Sequence, residues 1–108
     1  MPYNEDLERM LDNALGDLPL VKKKMFGGVA YLEKGHMFIG IVRDKLMVRV
    51  GKEKYGKYLT EADVSPMDFT GKPMPGYIYV DNIPSKAADE LQRWIAAGRA
   101  FIHTLPAK

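Results

Sequence analysis

The chain has 108 residues, enough for one domain with a real core and too few for two of ordinary size. Sixteen basic residues face fourteen acidic ones, a net charge of +2 that does not by itself argue for a nucleic-acid partner. With no cysteine, disulfides, thiolate metal sites, iron–sulfur clusters and cysteine nucleophiles are excluded.

In chain order, Asn4 to Leu15 has helical periodicity. Leu7, Met10, Leu11, Ala14 and Leu15 share one face, Asn4 suits the N-cap, and Gly16 suits the stop. Glu8, Asp12 and Asp17 are expected to face solvent. Lys22–Phe26 and Val29–Leu32 read as strand on either side of Gly27-Gly28, a pair that suggests a bulge or sharp bend. Met37–Val42 is apolar at nearly every position, as a central strand covered on both faces would be. Leu46–Val50 alternates, with Leu46, Val48 and Val50 on one face and Met47 and Arg49 on the other.

Lys52–Leu59 suits a short amphipathic helix with Tyr55, Tyr58 and Leu59 inward, and Thr60–Ser65 a connector. Met67–Phe69 and Gly76–Asp81 read as a further strand pair, with Tyr77 and Tyr79 on one face and Ile78 and Val80 on the other. A last helix opens at Pro84-Ser85. It sets Leu91, Trp94, Ile95, Gly98, Phe101, Ile102 and Leu105 on one face and stops at Pro106. The expectation is a single α+β domain over residues 1–108. It has one antiparallel sheet of five to six strands, the N- and C-terminal helices on one face, and a short middle helix. No apolar run is long enough to cross a membrane and no signal peptide opens the chain, so a cytoplasmic setting is expected.

Chemistry-bearing patterns are few. His36 and His103 lack metal-ligand spacing and read as surface or boundary residues. Neither Gly27-Gly28 nor Gly71-Lys72 fits a phosphate loop, and neither serine lies in a nucleophile motif. Glu5-Asp6 and Asp89-Glu90 belong to first helical turns, where the dipole favours them. No catalytic residue, cofactor or metal is therefore expected.

The run Lys22-Lys23-Lys24 has two readings: protection of an exposed sheet edge, or a surface for an anionic partner. Tyr31, Tyr77 and Tyr79 would add aromatics for nucleic acid if the sheet had an open face. Seven methionines also read two ways, as core filling or as an adaptable surface around Met25, Met47 and Met74.

At Lys24-Met25-Phe26-Gly27-Gly28 the sequence resembles the N-terminal domain of the TfoX/Sxy family of bacterial competence regulators. The likeness continues through Met37-Phe38, Asp44-Lys45-Leu46, Gly71-Lys72-Pro73-Met74 and Gly76-Tyr77, in order, across roughly Leu7 to Ala100. The resemblance implies one antiparallel sheet with flanking helices. Longer family members add a second helical domain and act as transcriptional co-activators with the cyclic-AMP receptor protein. The sequence ends at Lys108, which leads to the expectation of a stand-alone N-terminal-like domain.

The leading expectation is a non-enzymatic regulatory or adaptor domain, monomeric or homodimeric, that binds a protein partner, with the transcription machinery the first class to consider. The expected contact combines Lys22, Lys24, Met25, Phe26, Gly27 and Gly28 with Lys72, Met74 and Tyr77 adjacent. Direct nucleic-acid binding through Lys22–Lys24 and nearby tyrosines is the first alternative, and a small-ligand-binding domain or enzyme the second.

Overall fold

The computed structural model describes residues 4–25, 27–68, 71, 74–81, 83 and 88–106, with only the backbone described at Met25 and Ala88. Among these residues the elements run α1 (Glu5–Leu15), β1 (Val21–Met25), β2 (Gly28–Glu33), β3 (His36–Val42), β4 (Lys45–Arg49), α2 (Lys52–Tyr58), β5 (Val64–Pro66), β6 (Tyr77–Val80) and α3 (Ala88–Ile102). The strands form one antiparallel sheet in the order β1-β2-β3-β4-β6-β5. The expected α+β architecture is the one observed.

Local signals account for most elements. The Asn4 side chain accepts from the Leu7 N–H at 3.0 Å, and the Gly16 N–H closes the other end of α1 on the Asp12 carbonyl. Leu7, Leu11 and Leu15 are buried beneath α1, as the helical period requires. On the sheet, Val29, Tyr31, Ile39, Ile41, Leu46, Val48, Ile78 and Val80 face the helices. They meet Leu91, Trp94, Ile95 and Ile102 of α3. Tyr55, Tyr58 and Leu59 of the α2 segment are half-buried against this core.

Three details differ from expectation. The bulge lies in β3 rather than at Gly27-Gly28. Tyr31 pairs with Ile39 but Leu32 pairs with Met37, leaving Phe38 as the extra residue. Consecutive Phe38 and Ile39 therefore both enter the helix-side core. Gly27 and Gly28 instead make a tight reversal. Gly27 takes φ +71°, and a Cβ on Gly28 would stand 1.8 Å from the Ile41 carbonyl oxygen, so the first glycine supplies the turn and the second the close strand contact. The fifth strand is Val64–Pro66, beginning inside the expected connector and ending before the expected strand at Met67–Phe69, because Val64 and Pro66 pair with Val80 and Ile78 and continue the helix-side alternation. The proposed helix start at Pro84-Ser85 lies outside the described residues.

The far face of the sheet carries a thinner apolar layer. Val42, Met47, Met67 and Tyr79 are buried there, with Met37, Met74 and Tyr77 half-buried around them. Met47 reaches across Gly40, a placement that uses methionine's flexibility to fill space left by a missing side chain.

Trp94 is 1% exposed at the centre of α3, so Trp94→Ala should lower unfolding free energy by about 3–5 kcal/mol in a urea titration. Gly98→Ala would stabilise an exposed helix by about 1 kcal/mol. Here the added Cβ would meet the Phe38 carbonyl oxygen at 2.7 Å, so the sign should reverse and the midpoint should fall.

Candidate functional site

The basic strand β1 is an edge of the sheet, and Val21, Lys22, Lys23 and Lys24 are all exposed. Register places Lys22 and Lys24 opposite Tyr31 and Val29, on the helix side, and Lys23 opposite Ala30 on the far side. Lys22 is already engaged. Its Nζ lies 2.6 Å from Glu8 Oε2 and 3.1 Å from Asp12 Oδ2, and it sits over the Tyr31 ring. The Tyr31 hydroxyl donates to Asp12 Oδ1 at 2.5 Å. Burial works against the Lys22 charge, but hydrogen bonds from its ammonium to Glu8 and Asp12 outweigh it and raise its pKa above the usual lysine value. Lys22 thus braces α1 against β1, and Glu8 and Asp12, expected to face only solvent, are its partners. Lys23 and Lys24 have no ion-pair partner among the described residues.

Met74 and Tyr77 belong to a different part of the molecule. Tyr77 opens β6 on the far face beneath the Arg49 guanidinium, and Met74 packs against the buried far-face cluster. Strands β2, β3 and β4 separate β6 from β1, roughly 19 Å at ordinary strand spacing. Gly28 pairs with Met25 at one end of the sheet, while Tyr77 begins β6 at the other. The expected adjacency of Met74 and Tyr77 to the basic strand is therefore corrected: the order of the strands sets them apart. Phe26, Lys72 and the Met25 side chain lie outside the described residues.

Two other readings change with the geometry. Tyr31 is buried on the helix side and Tyr79 on the far side, so Tyr31, Tyr77 and Tyr79 do not form one aromatic platform. Met47 is 1% exposed, so it fills the core instead of presenting a surface.

The sequence reading missed a charge cluster at the β2–β3 turn, centred on a buried carboxylate. Glu33 is 4% exposed. Its Oε1 accepts from Arg99 Nε at 2.8 Å, and its Oε2 accepts from Arg99 at 3.2 Å and lies 3.2 Å from His103 Nε2. His36, expected at the surface or a boundary, is 8% exposed, packed against Pro106. Its Nε2 donates to the Pro106 carbonyl at 2.6 Å, and its Nδ1 meets no partner among the described residues. These side chains, with Lys34, line a cleft of about 440 Å³. Both Glu33 oxygens are hydrogen-bonded, so the cluster ties the hairpin to α3. The available signal was the spacing of Arg99 and His103, four apart on one helix face. Among the described residues, no three His, Cys, Asp or Glu side chains gather to hold a metal ion. No described helix is long and apolar enough to cross a membrane.

A six-stranded antiparallel sheet with helices on one face and a lysine-bearing edge strand defines a small α+β domain. The family model described as the TfoX N-terminal domain matches residues 13–102, and the chain belongs to that family. Comparison with curated proteins and with solved structures gave no match.

Hydrogen bonding to Arg99 holds the Glu33 carboxyl far below its usual range, at about 2, against the opposing effect of burial and with help from His103. A depressed folded-state pKa contributes stability that is fully present above about pH 4.5 and is lost as pH falls through about 2. Glu33→Gln should remove on the order of 2 kcal/mol at neutral pH and flatten the acid limb of stability against pH, measured by urea unfolding at each pH.

Proposed function

We propose that this domain is a non-enzymatic regulatory adaptor that acts in transcription or competence control by binding a protein partner with an acidic surface. The observation that carries the reading is the edge strand β1, where Lys23 and Lys24 stand exposed on opposite sides of the strand with no opposing carboxylate among the described residues. The neighbouring reversal at Gly27 and Gly28 fixes the end of that strand. Membership of the TfoX N-terminal domain family supports the regulatory part of the reading. Opposite charge on a partner would steer association and fix its orientation more than it would add affinity.

The test compares the tagged protein with its Lys23→Glu/Lys24→Glu variant in host lysate treated with nuclease. Lys22 stays unchanged because it braces α1. A defined protein should be retained by the first and reduced roughly tenfold on the second, with recovery falling as salt shortens the screening length. Recovery that disappears with nuclease moves the function to nucleic-acid binding. A partner indifferent to the reversal overturns the basic-edge surface.

A further inference from the structure

We infer that the partner is held by strand addition: an extended acidic segment pairs antiparallel with β1 and becomes a seventh strand. This rests on the basic-edge reading and specifies the contact. β1 pairs with β2 alone, and among the described residues no other backbone group bonds to Val21–Met25. In an antiparallel ladder, alternate residues turn both N–H and C=O away from the partner strand, so β1 offers a row of open peptide groups. The opposite edge is a poorer template, because β5 has three residues and ends at Pro66, which has no N–H.

Side chains select the occupant. A second copy of β1 would set lysine against lysine, which disfavours self-pairing. The same charges favour a strand with carboxylates at cross-strand positions. Val21, 54% exposed, is the large hydrophobic left in solvent among the described residues, and it shares the far side of the strand with Lys23. It gives an incoming strand an aliphatic contact at one end. The added ladder would span five residues, about 17 Å, which suits a transient contact.

The probe is a blocked seven-residue peptide of alternating glutamate and valine, titrated into the full chain and followed by amide NMR shifts and hydrogen exchange. A control peptide carries the same side chains with every internal amide N-methylated, keeping its charge while losing its ladder. Strand addition requires slower exchange of alternate β1 amides and roughly tenfold weaker binding of both the control peptide and the Lys23→Glu/Lys24→Glu variant. Equal binding of the two peptides, still dependent on the lysines, overturns strand addition and leaves the basic-edge reading standing. Binding indifferent to the lysines overturns both. Failure of the first peptide to bind overturns strand addition, and the lysate comparison then decides the basic-edge reading alone.

Discussion

The structure depends on how closely α3 can lie against the middle of the sheet. Gly98 meets the β3 bulge with no side chain between helix and strand, and the Phe38 ring fills the space beside it. That approach brings Leu91, Trp94, Ile95 and Ile102 into the core over β3 and β4. It also explains why the bulge matters. A regular β3 would send either Phe38 or Ile39 to the far face, and the core would lose one of its larger side chains. Hydrophobic burial supplies most of the stabilisation, while the bulge and the glycine decide whether it can be reached.

Charge then sets the positions of the peripheral pieces. Lys22 ties the first helix to the edge strand through Glu8 and Asp12, and Glu33 ties the β2–β3 turn to the last turns of α3. The two ties differ in kind. Lys22 is partly exposed, so its contacts are screened and individually weak. Glu33 is buried and hydrogen-bonded on both oxygens, so removing Arg99 would leave a buried carboxylate short of its main partner. Between these ties, Lys23 and Lys24 are left without an ion-pair partner among the described residues.

Much of the fold was legible in the sequence. Leu7, Leu11 and Leu15 announce a helical face, and the continuous apolar run of Met37–Val42 announces a strand covered on both sides. The alternation of Tyr77–Val80 assigned both faces of β6 correctly. What escaped was set by relations between distant residues. The bulge at Phe38 depends on pairing with β2, which periodicity within β3 does not encode. The burial of His36 follows from where Pro106 comes to lie. The candidate site divided for the same reason: residues that follow one another as landmarks along the chain were placed on strands that the sheet order separates. Only the Lys22–Gly28 portion is continuous in sequence, and its described backbone stays together in space.

The strand order has a kinetic side. Every ladder but one joins strands that are neighbours in sequence, and the exception, β4 with β6, must close over α2 and β5. Loop-closure entropy is thus concentrated in a single pairing, whereas the four-stranded meander before it can assemble through local hairpins. For an all-antiparallel sheet this is a short search, and its slowest part is the one that brings Tyr79 alongside Met47 and seals the far-face layer.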